Sequence, residues 1–191
     1  MLIFSFLETI TDSRIMPQAF QPGKAEALLL DLLQAGNDCT GETPQRMAAL
    51  LTDERARGVL RAIFGNSPFL SRMALRDPEF LCTLMLQGPD ATIKIINKAV
   101  ADLAAAELAF PELSRQLRLR RGQAALTIAL ADICGLWDLG QITRALSAFA
   151  EGVLCTAIDA LLRDAAKRGE IGLDNAANPS SGCGYVILAM G

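Results

Sequence analysis

Arginine supplies the densest cluster of side chains that could do chemistry. Arg115, Arg118, Arg120 and Arg121 follow one another closely, and in a helix Arg115, Arg118 and Arg121 share a face through i, i+3 spacing. Guanidinium forks so arranged could clasp a phosphorylated or acidic partner. No aromatic is interleaved to stack on a base, and the competing reading is a solvated or internally paired helix face. The carboxylates are scattered: Asp102 and Glu107 lie five apart, off a common face, and no D-x-D occurs. Asp132 stands alone in the apolar stretch 124–136. If buried there it must be hydrogen-bonded or paired, and an Arg of a neighbouring helix is preferred over a catalytic role.

Other sites are excluded by residue type. The five cysteines (Cys39, Cys82, Cys134, Cys155, Cys183) show no C-x-x-C spacing and the chain has no histidine, so no zinc set is legible. Cys82, Cys134 and Cys155 sit in apolar helical sequence and are expected as reduced core thiols. Gly182-Cys183-Gly184 precedes an apolar run, whereas phosphate-cradling glycines come after a strand. From the residues alone, the expected metal, cofactor and catalytic sets are all empty, leaving Arg115, Arg118 and Arg121 as the one candidate face.

Composition limits the partners and the compartment. A net charge of −3 argues against nucleic acid as the main ligand, since that role asks for a basic face. Met1–Leu7 is apolar but lacks the basic start of a signal peptide, and Glu8 follows at once. No run of about 20 uninterrupted apolar residues is present. The chain therefore reads as a cytoplasmic monomer, engaging neither nucleic acid nor membrane. Apolar residues make up 51% but aromatics only 5%, and such straight-chain and small apolar residues favour helices over strands.

The elements that would position these residues are punctuated clearly. Residues 1–23 form a lead-in closed by Gln21-Pro22-Gly23, and a helix is expected over 24–35, with Gly36 as its left-handed stop. Residues 44–64 read as helical with a break at Thr52-Asp53, and Gly65 as terminator. Ser67-Pro68 and Asp77-Pro78 each place a capping oxygen before a first-turn proline, opening helices 69–76 and 79–87. Gly88-Pro89 breaks the chain before a helix to about 109. Pro111 opens the next, stopped by Gly135. Asp138 caps the longest, 139–168, closed by Gly169. Its residues Ile142, Ala145, Leu146, Phe149, Val153, Leu154, Ala157, Ile158, Leu161 and Leu162 are expected as one buried stripe. Residues 170–184 read as a polar linker. Tyr185–Met190 is a short apolar run between glycines, expected as the first strand of a further domain, with a docked or disordered tail as the alternative.

Two stretches carry a family resemblance. Gly65-Asn66-Ser67-Pro68-Phe69-Leu70-Ser71-Arg72 with Asp77-Pro78-Glu79, and Leu117 onward (LRLRRGQAALTIALADICGLWDLGQITRALSAFAEGVL, then GYVILAMG), together resemble the amino-terminal part of the bifunctional glutamine-synthetase adenylyltransferase/adenylyl-removing enzymes. The resemblance spans roughly residues 24–191. It implies a mainly α multi-helix bundle (24–169), a linker (170–184) and the first strand (185–191) of a truncated nucleotidyltransferase-like α/β domain. It also implies an activity that adds AMP from ATP to a tyrosine of glutamine synthetase and removes it by phosphorolysis, with the PII signal protein as regulator.

In that family the strand leads into G-K-x-G-x-x-E-x-N-x-x-S-D-x-D-L, whose aspartates hold Mg²⁺. The sequence ends at the first Gly of that stretch, so no metal ligand is carried over. The resemblance thus implies Mg²⁺ and ATP or phosphate for the whole enzyme and none bound tightly here, in a piece that is catalytically incomplete. The rival from another class is a non-catalytic helical module that binds an acidic or phosphorylated partner through the Arg face.

Overall fold

The computed structural model describes residue 7 and residues 17–106, 108–184 and 186–187. These form eight helices: α1 Pro22–Asn37, α2 Thr43–Thr52, α3 Glu54–Asn66, α4 Pro68–Arg76, α5 Pro78–Gln87, α6 Pro89–Ala105, α7 Phe110–Ile133 and α8 Leu139–Lys167. The mainly α architecture expected from composition is the one observed. No strand occurs among the described residues, and most of the apolar run expected as a strand (Tyr185, and 188–191) lies outside them. Val186 and Ile187, the two of its residues that are described, are in neither helix nor strand.

Side-chain oxygens set the helix starts. Asp53 accepts from the backbone N–H groups of Arg55 and Ala56, Ser67 from Leu70 and Asp77 from Phe80. Each satisfies an otherwise orphaned first-turn donor. At α8 the arrangement is reciprocal: Asp138 Oδ1 accepts from Gln141 N at 2.7 Å, and Gln141 Oε1 accepts from Asp138 N at 2.8 Å, a capping box. The stops at Gly135 and Gly169 are left-handed, with φ of 63° and 74°. Leu136 N donates to Ala131 O and Glu170 N to Ala165 O, which uses up carbonyls the ending helix leaves free.

Two glycines expected as stops have another role. Gly36 and Gly65 lie inside α1 and α3 with ordinary φ. A Cβ on Gly36 would sit 2.5 Å from Met47 Cγ, and one on Gly65 would sit 2.4 Å from Ala19 Cβ. Both mark close approach between segments rather than chain termination.

The chain divides into two compact units. The first comprises Met1–Ile96 and Arg121–Leu146. In it α1 packs on α2, α3, α4 and α5, around a core that includes Leu32, Met47, Leu60, Phe64, Leu84 and Leu130. The second comprises Asn97–Arg120 and Ser147–Gly191. There Val100, Leu113 and Leu162 are buried, and the buried Thr156 hydroxyl donates to Val100 O at 3.3 Å.

The α8 stripe departs from expectation. Of its ten residues only Leu162 is buried, while Leu146, Leu154 and Leu161 are exposed. The inward face of α8 instead carries the buried Thr156 and Asp159. Apolar residues therefore occupy two sides of this helix, and Leu154 and Leu161 lie on the exposed one. By length and composition alone α8 could cross a membrane, yet its Asp159 and Arg163 are committed to hydrogen bonds within the protein.

Candidate functional site

The G-N-S-P segment is a junction. Gly65 brings α3 against residue 19, and the next residue holds the arriving chain: Asn66 Oδ1 accepts from Phe20 N at 3.1 Å, and Asn66 Nδ2 donates to Gln18 O at 3.0 Å. Gln21 N adds a bond to Gly65 O at 3.2 Å. Ser67 then caps α4. Every polar atom of the motif so placed is used structurally. Asp77 works in the same way: Oδ1 caps α5 while Oδ2 accepts from Gln123 Nε2 at 2.9 Å, tying the α4–α5 corner to α7. Trp137 is buried at the turn between α7 and α8, and its indole N–H donates to Asp90 Oδ1 at 3.0 Å.

The arginine face is exposed along α7. Arg115, Arg118 and Arg121 all face solvent on one continuous helix. Arg115 is engaged by Glu112 through two bonds, of 2.8 and 2.7 Å. Arg115, and then Gln116, hold the Glu112 carboxyl down at about 2. Arg118 and Arg121 make no ion pair among the described residues. Arg120 does have a partner. Asp132, for which pairing with an Arg is preferred if it is buried, is exposed on the last turn of α7.

The second unit contains a polar constellation that the sequence reading missed. Arg163 on α8 donates from Nη1 to Ala104 O at 2.9 Å, from Nε to Ala176 O at 3.5 Å and from Nη2 to Ala177 O at 3.4 Å. One guanidinium thus satisfies a carbonyl at the end of α6 and two in the loop after α8. Asp159, one turn earlier and only 9% exposed, accepts from Ser180 N at 3.0 Å. Asn175 Oδ1 folds the loop by accepting from Ala177 N and Asn178 N. Residues 175–180 are therefore latched to α8. The available signal was an Asp and an Arg at i, i+4 on the side of α8 that is otherwise apolar. A shallow cavity of about 390 Å³ lies beside Arg163, lined also by Leu103, Leu108, Phe110 and Asp164.

The thiols divide by burial. Cys82 and Cys134 are buried as expected, and all five cysteines are unpaired. Burial pushes the Cys82 thiol up to about 11 and the Cys134 thiol up to about 12, which keeps them inert. Cys155 departs from the expectation and is exposed. Among the described residues no three of His, Cys, Asp and Glu come together as a metal set. The carboxylates that could serve are spent on helix caps, ion pairs and the loop latch, or stand singly.

Comparison with known proteins adds what the geometry cannot. The family model for glutamate-ammonia ligase adenylyltransferase matches residues 58–191. A bifunctional glutamine synthetase adenylyltransferase/adenylyl-removing enzyme of Rhodopseudomonas palustris (strain BisB5) is 36% identical over 181 residues, covering 92% of this chain and 18% of the relative. The enzyme of the same name from Xanthobacter autotrophicus is 35% identical, covering 93% of this chain and 18% of its own length. That of Mesorhizobium japonicum is 32% identical over 96% of this chain. The chain thus spans less than a fifth of the curated relatives it matches. No solved structure matches it.

Proposed function

The chain belongs to the glutamate-ammonia ligase adenylyltransferase family, and from that premise we propose that it forms the helical amino-terminal part of an enzyme that adenylylates a tyrosine of glutamine synthetase and removes the AMP by phosphorolysis. The observation that carries this reading is the family match over residues 58–191, joined to relatives similar over nearly the whole chain. In this reading residues 1–23 are a variable lead-in and 24–169 the helical subdomain. Residues 170–184 connect it to 185–191, the first strand of a nucleotidyltransferase-like domain. The glycine-bounded apolar run, with Val186 and Ile187 exposed, supports a segment that pairs with further chain.

The 191 residues do not perform the transfer by themselves. The chemistry calls for Mg²⁺ beside ATP or phosphate, where the metal neutralises charge on the transferred group, and the carboxylates of the described residues do not fit that role. No step is assigned to any residue of this chain, whose part is to fold, to position the catalytic portion of the enzyme and to present a surface. The partners are glutamine synthetase and, by resemblance, the PII protein, in the cytoplasm, with the chain monomeric. Arg115, Arg118 and Arg121, all exposed, support a second and non-catalytic reading: a face for an acidic or phosphorylated partner. Such binding would weaken steeply with salt, and reversing the three charges would abolish it.

The test compares two proteins on glutamine synthetase with Mg²⁺ and labelled ATP. The chain alone should transfer no label. The chain grafted in place of the aligned segment of the Rhodopseudomonas relative should transfer AMP, and should release it again in phosphate. A folded graft that does neither refutes the functional reading.

A further inference from the structure

The loop after α8 is held more firmly than its polar composition asks. Residues 174–178 are exposed, yet Pro179, next along, is buried, and Ser180 N then donates to Asp159 Oδ1 at 3.0 Å. Asp159 is only 9% exposed, and burying a carboxylate costs free energy that an apolar side chain would not. Its bond is to a backbone N–H 21 residues onward, so what the carboxylate secures is the loop rather than the helix that carries it. Arg163, one turn on, ties the end of α6 to the same loop at Ala176 and Ala177. Past Ser180 the chain bends on two left-handed glycines, Gly182 at φ 73° and Gly184 at φ 77°. Neither has an atom within 4 Å of where a Cβ would stand, so both serve through backbone angle and not through room.

We propose that Asp159 and Arg163 are positioning residues that fix the point at which the chain leaves the helical part. The proposal rests on the functional reading above, in which the segment after residue 184 belongs to the nucleotidyltransferase-like domain. The closing bond of α8, from Glu170 N to Ala165 O, orders the chain as far as residue 170. An unpinned connection would therefore run through fourteen residues, 171–184, and the connection pinned at Ser180 runs through four, 181–184. The local concentration of a tethered segment falls roughly as the −3/2 power of tether length, so pinning raises it about sixfold. Lengthening the tether by six residues then has unequal consequences, about fourfold on the pinned connection and about 1.7-fold on the unpinned one.

The first measurement uses the 191-residue chain and its own thiols. Cys155 is exposed on α8, and Cys183 lies three residues past Ser180. With Cys39→Ser as background, a nitroxide on each reads the distance between the helix and the exit, while Cys82 and Cys134 stay unlabelled as long as the fold is intact. The spin–spin distance distribution should be single and narrow. Asp159→Ala and Arg163→Ala should broaden it severalfold, and Asp159→Asn, which keeps the acceptor oxygen, should leave it narrow. A broad distribution with Asp159 and Arg163 in place, or a narrow one in folded Asp159→Ala, overturns the proposal.

The second measurement is AMP transfer to glutamine synthetase by the Rhodopseudomonas graft, with and without six Gly-Ser residues inserted after Gly184. The insertion should slow transfer about fourfold with Asp159 in place and about 1.7-fold in Asp159→Ala. Equal factors would show that Asp159 acts through stability alone, and would overturn the proposal. The insertion removes no contact of the loop, so in the graft with Asp159 in place it decides the matter even where a substitution unfolds the chain: no slowing there overturns the proposal as well. A folded graft that transfers nothing in any form, beside a narrow distance distribution in the chain, sinks the functional reading and keeps the pinned exit.

Discussion

Replacing Gly65 with Ala sets two effects of similar size against each other. Gly65 lies inside α3 with an ordinary backbone conformation, so helix propensity alone predicts a gain of about 0.8–1 kcal/mol. The new Cβ would stand 2.4 Å from Ala19 Cβ and 2.8 Å from Ala19 Cα. The second of these is backbone, so the clash is relieved only by moving the arriving segment. Overpacking of this kind costs about 1–3 kcal/mol, and the net expectation is a loss of up to about 2 kcal/mol.

Displacing that segment also breaks the two bonds from Asn66 to residues 18 and 20, each worth about 0.5–1.5 kcal/mol. Asn66→Ala, which also removes the bond from Asn66 Nδ2 to Ala62 O, should therefore cost about 1–3 kcal/mol, and the double variant should cost less than the sum by about 1 kcal/mol. Urea titration of the four proteins measures the cycle, and thermal melts should move by about 2–4 °C per kcal/mol at this size. A stabilised Gly65→Ala, or strictly additive effects, would refute the claim that the glycine exists for the approach of Ala19.

Three further outcomes are expected from the same geometry. The Glu112 carboxyl is held at about 2 by Arg115 and Gln116, and Glu26 and Glu170 are lowered by Arg61 and Arg168. A depressed carboxylate stabilises the fold above its unfolded value near 4.3 and loses that contribution as pH falls toward the folded value. The melting temperature should therefore drop between about pH 4.5 and 2, less steeply in Glu112→Gln. At pH 8 iodoacetamide should modify Cys155 in the folded chain and leave Cys82 and Cys134 until urea unfolds it, since exposure and thiolate fraction both oppose reaction at the buried thiols. Arg163→Ala or Asp159→Ala should raise amide exchange across residues 175–181 by an order of magnitude or so, the effect of losing about 1–2 kcal/mol of hydrogen bonding, with α1–α5 unchanged. Uniform exchange changes along the chain would show instead that the latch residues act only through global stability.

The helix inventory was legible because its signals are local. Asp53, Ser67, Asp77 and Asp138 announce their helices through side chains that bond two or three residues onward, and Gly135 and Gly169 end theirs by φ. Gly36 and Gly65 were misread because their reason is tertiary: each makes room for a residue distant in sequence, and nothing within one turn distinguishes that from a stop. The α8 stripe failed for a related cause. Apolar periodicity says which residues share a side but not whether that side is covered, and Leu154 and Leu161 are apolar yet exposed. The loop latch escaped because its contacts link α8 to residues 13–21 positions onward, beyond any helical repeat. The candidate Arg face was legible as sequence and is exposed as a helix face, while the family was legible only from motifs. The structure explains one of these, Gly65 to Ser67, as architecture rather than chemistry.

The most direct test of the central claim is the initial rate of AMP transfer to glutamine synthetase by the Rhodopseudomonas graft, set beside the parent relative and a version lacking the aligned segment. If these residues are the helical part of such an enzyme, the graft should run within about tenfold of the parent, a difference of about 1.4 kcal/mol in barrier, and far above the deletion. A graft no faster than the deletion, with Cys82 and Cys134 still protected from alkylation, would contradict the account.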